Sequence, residues 1–364
     1  MILPATDANL DAAAEILAGG GLVAIPTETV YGLAASVWQP AAVRGIFAAK
    51  GRPSHNPLIV HVASVDRLPE AIRWPPDPVI AEQLHQLAEF WPGPLTVVCP
   101  RADTIPDEVT AGRTTVAVRI PAHEVTRRLL DRCPFPLAAP SANRSGYVSP
   151  TLAEHVCGRA GLGDAVAMVL DGGPCQHGVE STIVLLGDHP RLLRPGSITA
   201  EQLAARLGVA EASLTSTDPH VPEPSLPEPQ SSFGQALPAP GMLLEHYAPR
   251  TPLRLISPAD GPPSDLRSVG SISPSPTGLP LRLGRIAFRP LPPGQSAPYA
   301  VVETLSHDGE LEEVARLLFA ALRRLDDLGL DRIDCDTCAE VGLGRAIMDR
   351  LRRASARWNT NPNA

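Results

Sequence analysis

The sequence predicts an α/β fold in two parts: a mixed, twisted sheet with helices around it, followed by a smaller α/β domain. Three observations point there. Short apolar runs closed by Gly or Pro alternate irregularly with helical patterns up to residue 208, composition shifts abruptly near residue 209, and the chain ends as helix, strand, helix. Because the strands do not alternate strictly with helices, a mixed sheet is expected rather than a regular doubly wound one. A length of 364 residues also exceeds the roughly 250–300 that one core usually holds.

The elements follow in order. Thr6 can cap a helix reaching Ala18, with Leu10, Ala13, Ala14 and Leu17 on one face. Gly19-Gly20-Gly21 ends it, and Leu22–Ile25 reads as a buried strand stopped by Pro26. Pro40 opens a short helix that delivers Lys50 at its C-terminal end. Strands are expected over 58–62, 95–99, 115–120, 136–139, 167–170 and 182–186, with helices over 77–90, 123–132, 151–160 and 199–207. Ser216 to Pro240 holds seven prolines among Ser, Glu and Gln, which suits a semi-extended linker. From residue 251 a strand-poor Pro/Ser/Gly stretch precedes a helix over 311–329, a strand over 332–335 and a helix over 344–356. That ending suggests a small Rossmann-like α/β domain, without the GxGxxG that cradles a dinucleotide. The expected division is 1–208, a linker or lid over 209–250, and 251–364.

Charge argues against one class of function. The net charge is −8; residues 1–208 carry sixteen basic and twenty acidic side chains, and the remainder fifteen and nineteen. Tight non-specific nucleic-acid binding needs a surplus of phosphate-neutralising cations, so no strong direct nucleic-acid binding is expected. The N-terminal residues have no basic n-region followed by an apolar run, and no stretch approaches the ~18–20 apolar residues that span a bilayer. The six cysteines lack disulfide-like spacing, which suits a reducing, cytoplasmic location. Cys335-Asp336-Thr337-Cys338 is a lone CxxC pair, read as the end of a strand rather than a zinc site, and no metal ligands are assigned.

Of 31 basic residues, 30 are arginine, and Lys50 is the one lysine. A compact, rotatable ammonium at a single position contrasts with the flat fork used everywhere else. Lys50 and Arg52 stand two apart in a Gly/Pro-held turn and can face one polyanion, a triphosphate being the obvious guest. A solvated basic turn is the plainer alternative. Thr27, Thr29 and Tyr31 follow a buried strand, where open α/β sheets present ligand-binding groups. Ala139 to Thr151 strings small polar residues ahead of a helix, suited to phosphate or ribose oxygens. Ser181-Thr182-Ile183 and Leu193-Arg194-Pro195-Gly196 add a hydroxyl and a cation. Each stretch alone also fits turns and caps.

Together, Pro26-Thr27-Glu28-Thr29-Val30-Tyr31-Gly32-Leu33, Lys50-Gly51-Arg52-Pro53, Ser141-Ala142-Asn143 with Ser145-Gly146, Glu180-Ser181-Thr182-Ile183 and Arg194-Pro195-Gly196 resemble the YrdC-like family of threonylcarbamoyl-AMP synthases. The likeness covers residues 8–208. Pro240 to Pro249, with His246-Tyr247-Ala248-Pro249, is similar to the linker of the family's long form, and the tail from Leu328 resembles its C-terminal domain. Leu243-Leu244-Glu245 depart from that linker, where basic or aromatic residues commonly stand.

The resemblance implies a nucleotidyltransferase that joins L-threonine, bicarbonate and ATP into threonylcarbamoyl-adenylate and pyrophosphate, for a downstream tRNA threonylcarbamoyl transferase complex. Magnesium is expected to arrive with ATP. Carried over by motif, Lys50, Arg52, Asn56, Thr115, Ser141, Asn143, Ser149, Arg194 and Tyr247 are expected to hold ATP, with Lys50 and Arg52 stabilising the charge that grows as pyrophosphate departs. Thr29, His61, Arg119 and Ser181 are expected to hold threonine; Thr27 and Tyr31 are weaker candidates. On its own, His61 in an apolar strand reads first as a core histidine. Two other classes compete: an RNA-binding module without catalysis, disfavoured by the acidic balance, and a hydrogenase-maturation carbamoyltransferase, which would add zinc-finger-like cysteines and an acylphosphatase-like region that the sequence lacks.

Overall fold

The computed structural model describes residues 1–158, 160–216, 237–241, 246–257, 281–296 and 298–359. It divides into two compact units: residues 1–145 with 149–242, and residues 146–148 with 243–364. Most of the proline-rich stretch, and Leu243, Leu244 and Glu245, lie outside the described residues.

The first unit is built on a ten-stranded sheet. Its strands are β1 (Ile2–Pro4), β2 (Val23–Ile25), β3 (Gly32–Ser36), β4 (Ile59–His61), β5 (Leu95–Pro100), β6 (Thr115–Arg119), β7 (Leu137–Ala138), β8 (Met168–Asp171), β9 (Thr182–Leu185) and β10 (Arg191–Arg194). The order β1-β8-β2-β3-β7-β4-β6-β5-β9-β10 mixes parallel pairs, such as β4 with β6, with antiparallel ones, such as β5 with β6. Both faces are covered. Val23 and Ile25 of β2 pack with Leu10, Leu17, Leu129 and Leu130, while Ala24 between them joins Leu33, Val43 and Ile46 on the opposite face. Two-sided burial explains why the strands read as continuous apolar runs rather than alternating ones.

Helix boundaries follow local chemistry. Thr6 caps Asp7–Ala18 by accepting a hydrogen bond from the Asn9 N–H. Pro40 opens Pro40–Lys50, and Gly51 ends it in the left-handed region at φ 59°. Lys50 is thereby fixed on the last turn of a helix.

Besides the sheet-edge strands β1 and β10, which the sequence reading does not include, two parts of the fold depart from expectation. β3, of Gly, Ala and Ser with one Leu, pairs antiparallel with β2, which turns the Thr27–Tyr31 segment into the loop of a hairpin. Small residues of low strand propensity hide it. A side chain at Gly32 would come within 3.3 Å of the Ala139 Cβ, so glycine lets the neighbouring segment approach. The second unit is also not strand-poor at its start. It carries β11 (Leu253–Ile256), β12 (Leu283–Ala287), β13 (Val301–Thr304) and β14 (Arg332–Asp336) in a parallel sheet of order β11-β14-β12-β13. Helices Leu311–Asp327 and Leu343–Asn359 complete this α/β unit. Cys335 is buried in β14 and Cys338 follows it half-buried. Among the described residues no group of three or more His, Cys, Asp or Glu is placed to hold a metal ion.

Candidate functional site

Three neighbouring strands set the frame. His61 of β4 and Thr96 of β5 both stand in register with Arg119 of β6, so the three side chains share a face of the sheet. All are buried. Arg119 donates from Nη2 to Glu28 Oε1 (2.6 Å), from Nη1 to Thr29 Oγ1 (3.0 Å) and from Nε to the Gly93 carbonyl (3.1 Å). Thr27 donates its hydroxyl to the Val30 carbonyl, so in the 2.8 Å Thr27–Thr29 contact Thr29 is the donor. The hairpin loop after β2 is thus locked against β6.

The chain of contacts continues. Thr96 and Ser181 share a hydrogen bond of 2.8 Å, and Arg194 donates to the Ser181 hydroxyl and carbonyl, both at 3.1 Å. Next to Ser181, Glu180 accepts the Ser149 hydroxyl at 2.5 Å. Glu180 also supports the charge of Lys50 electrostatically. The Lys50 ammonium donates to the carbonyls of Ser141 and Asn143, the latter at 2.5 Å, and so has one N–H left for a ligand. The backbone stitches the same loops together, from Tyr31 N–H to Pro150 O, Ala142 N–H to Tyr31 O and His177 N–H to Glu28 O. The Tyr31 hydroxyl donates to the Gly173 carbonyl at 2.8 Å.

Arg52 turns its guanidinium onto its own loop, donating to Asn56 Oδ1 at 2.6 Å and to the carbonyls of Asn56 and Pro57. Asn56 is fully buried, and among the described residues nothing accepts from its Nδ2. Thr115 is buried at the start of β6. Part of the expected linker also lies here. Leu237 exchanges hydrogen bonds with Arg113 and His55, Ala239 packs with Ile59, Val98 and Ile183, and the Pro240 carbonyl accepts from Arg194 at 3.4 Å.

The electrostatics are those of a dry site. Burial, helped by the nearby Arg52 charge, pushes the Lys50 ammonium well below its usual range. Burial and then Arg119 lower His61 to about 3, so it is neutral at ordinary pH. Burial raises the Glu28 carboxyl, but the charge and hydrogen bond of Arg119, together with the backbone N–H groups of Glu28 and Ala122, outweigh it and hold Glu28 below the usual range.

The structure therefore links Thr27, Thr29, Arg119, Ser181 and Arg194, with His61 beside Arg119 on the neighbouring strand, and extends this network through Glu180 to Ser149 by a hydrogen bond and to Lys50, with its partners Ser141 and Asn143, by charge. Tyr247 lies in the second unit. There it is buried at φ 63°, with its ring stacked on Phe319 (5.6 Å between centroids), the edge of His246 against it and the Arg350 guanidinium 5.4 Å from its centre. Three residues of the network went unassigned from sequence: Glu28, Thr96 and Glu180. The two carboxylates stood inside the quoted motifs, each adjacent to a chosen hydroxyl. An anion among so many cations was the available signal.

Comparison with known proteins follows the same outline. Residues 15–196 match the family described as telomere recombination (Sua5, YciO and YrdC), and residues 198–356 match the threonylcarbamoyl-AMP synthase C-terminal domain. The threonylcarbamoyl-AMP synthase of Pyrococcus abyssi is 38% identical over 346 residues, covering 94% of this chain and 93% of that protein. That of Bacillus subtilis is 39% identical over 97% of this chain and 94% of its own. The crystal structure of Pyrococcus abyssi Sua5 complexed with L-threonine superimposes with a TM-score of 0.77 at 35% identity, covering 98% of both chains. The chain belongs to the threonylcarbamoyl-AMP synthase family, in its long form with a YrdC-like domain and a C-terminal domain.

Proposed function

We propose that this enzyme forms L-threonylcarbamoyladenylate and pyrophosphate from L-threonine, bicarbonate and ATP, as a nucleotidyltransferase serving tRNA modification. The threonine amine and bicarbonate condense to a carbamate with loss of water. A carbamate oxygen then attacks the α-phosphorus, and pyrophosphate leaves. ATP enters as its magnesium complex.

Arg119 offers its fork to the threonine carboxylate, and Thr29, His61 and Ser181 shape the pocket around the amino acid. On the nucleotide side, the remaining N–H of Lys50 and the guanidinium groups of Arg52 and Arg194 meet the phosphates, with Asn56, Thr115, Ser141, Asn143 and Ser149 around them. A cation already stripped of water at Lys50 interacts strongly with a polyanion and needs little reorganisation as charge moves to the leaving group. Much of the remaining acceleration comes from holding an unstable carbamate against ATP. Tyr247 is assigned to the nucleotide by family likeness alone.

One observation carries this reading: Glu180 and Ser181, adjacent in sequence, tie the Lys50 and Ser149 side of the network to the Arg119 and Arg194 side. Groups suited to an amino acid and to a polyphosphate are thus neighbours, linked by hydrogen bonds through Ser149 and Glu180 and by the charge of Glu180 acting on Lys50. The test is pyrophosphate release with mass detection of the adenylate. Release should require threonine and bicarbonate, and Lys50→Ala should lower it at least ~100-fold. Threonine-independent release, or unchanged release in Lys50→Ala, overturns the reading.

A further inference from the structure

Glu28 is a buried carboxylate with one oxygen short of a partner. Its side chain is 2% exposed, Oε1 is held by Arg119, the backbone N–H groups of Glu28 and Ala122 lie close enough to support its charge, and among the described residues no hydrogen bond of good geometry reaches the buried Oε2. An ionised oxygen shut away from water without a hydrogen bond is costly, and folds retain such groups mainly where something else completes them. Arg119 complements it. Of five N–H donors, its bonds to Glu28, Thr29 and Gly93 use three and leave two, enough for a ligand carboxylate.

The titratable groups that feel Glu28 come from every element packed around it. They are His61 on β4, Arg119 on β6, His123 at the start of the helix Glu124–Arg132, and Cys175 and His177 in the segment after β8. Burial lowers the three histidines and raises the thiol, so all four are neutral at ordinary pH. In this pocket Glu28 is the anion and Arg119 the cation.

Threonine is a zwitterion, and a zwitterion can lie head to tail across an ion pair. On the proposed reading, on which this inference rests, its carboxylate takes the Arg119 fork. The α-ammonium then needs an anionic acceptor, which Thr29, Ser181 and a neutral His61 cannot supply. We propose that Glu28 Oε2 holds the threonine α-ammonium and accepts its proton as the carbamate forms. The ammonium loses two protons. One goes to Glu28, and its N–H bonding pair returns to nitrogen as the lone pair that forms the new N–C bond. The C–OH bond of bicarbonate breaks, and the departing hydroxide takes the second proton and leaves as water. Glu28 carboxylate, ammonium and bicarbonate become Glu28 carboxylic acid, carbamate and water, with charge conserved.

The experiment compares binding of L-threonine with that of 3-hydroxybutyrate, which keeps the carboxylate and hydroxyl but lacks the amine. By titration calorimetry the wild-type chain should prefer threonine at least ~100-fold, the effect of a buried charged partner. Glu28→Gln should shrink that preference below ~3-fold, while Glu28→Asp keeps at least ~10-fold of it. In Glu28→Gln the pH profile of kcat/KM should also steepen, climbing toward the amine's own pKa because only the neutral amine reacts. Equal weakening of both ligands with an unchanged pH profile marks a structural role and overturns the proposal. Should Glu28→Gln fail to fold, the wild-type comparison decides: similar affinity for the two ligands overturns the proposal without any variant. A wild-type chain with no threonine-dependent pyrophosphate release defeats the underlying reading as well, whereas one that shows release but no preference defeats this inference alone.

Discussion

Glu28 in the first unit and Asp334 in the second are both buried carboxylates facing arginine, yet they are completed to different degrees. Asp334 is fully enclosed and accepts five hydrogen bonds: two from Arg254, two from Arg332 and one from the Tyr299 hydroxyl. Glu28 accepts one from a side chain, with the backbone N–H groups of Glu28 and Ala122 nearby, and among the described residues its Oε2 has no hydrogen bond of good geometry. Burying a charge is expensive in either place, but a saturated cluster recovers much of that cost within the fold. Saturation fits an ion pair that serves structure; on the proposal above, the shortfall at Glu28 is where the ligand binds.

The strongest way to break this contrast is Arg119→Ala. It strips Glu28 of its counter-charge and removes the proposed carboxylate fork together. Unfolding free energy should drop by about 3–5 kcal/mol, the usual result of orphaning one member of a buried pair. Threonine-dependent pyrophosphate release should fall at least ~100-fold, since a charged partner of this kind contributes more than ~2 kcal/mol. A stable, active Arg119→Ala removes the distinction between the two sites.

Asp334→Asn attacks the saturated side. Arg332 is nearly as buried as Asp334, so the loss should again reach about 3 kcal/mol, read by urea denaturation. Here the Michaelis constant for threonine should stay within ~2-fold, because a structural pair changes how much protein is folded rather than what the folded protein binds. A selective rise in that constant would show the second cluster to be functional too.

How far these sites were legible in sequence differs in the same way. Lys50 at a helix end, and Ser181 and Arg194 at strand ends, stand in short motifs and could be named, whereas Arg119 was assigned by the family resemblance. Glu28 was within the quoted motif but carried no role, because its partner lies 91 residues away and only pairing across the sheet reveals it. β3 was missed because glycine and alanine form strands only when tertiary neighbours require it. β11, β12 and β13 of the second unit are four or five residues long in or beside a Pro/Ser-rich stretch, too short for periodicity to show, whereas β14 was expected. Asp334 fell inside the expected strand 332–335 without a role; the arginines that satisfy it and Asp336 became visible only once the strands were aligned. Long-range pairing was the missing information throughout.

Acid sharpens the contrast at a smaller scale. The folded-state pKa of His61 lies at about 3, below its unfolded value of 6.5. Its contribution to stability is therefore complete above pH 6.5 and is lost as pH falls toward 3. His123 and His177 are shifted in the same direction by burial, and Glu28, also lowered, adds its loss below the ordinary glutamate range. Stability should fall on acidification by about 1.4 kcal/mol per pH unit for each proton taken up. In denaturation series from pH 7.5 to 4.5, His61→Gln should remove about one proton's worth of that slope. An unchanged slope means that His61 is not the buried neutral group described.

The smallest effect belongs to Tyr147. By sequence it stands among the small polar residues of the Ser141–Thr151 segment, but its contacts group it with the second unit. Its hydroxyl donates to Asp326 at 2.7 Å, and its ring lies 4.8 Å from the Arg323 guanidinium. Asp326 is itself well supplied, accepting also from Arg250 and from the Thr251 N–H. Tyr147→Phe keeps the ring and the cation–π contact and removes one donor from a carboxylate that retains others. The loss should be about 1 kcal/mol by urea denaturation. Tyr147→Leu, which also deletes the aromatic face, should lose roughly 1 kcal/mol more. A cost above ~3 kcal/mol for Tyr147→Phe would mean that Asp326 depends on this one hydroxyl, leaving the second unit with a carboxylate as underfilled as Glu28.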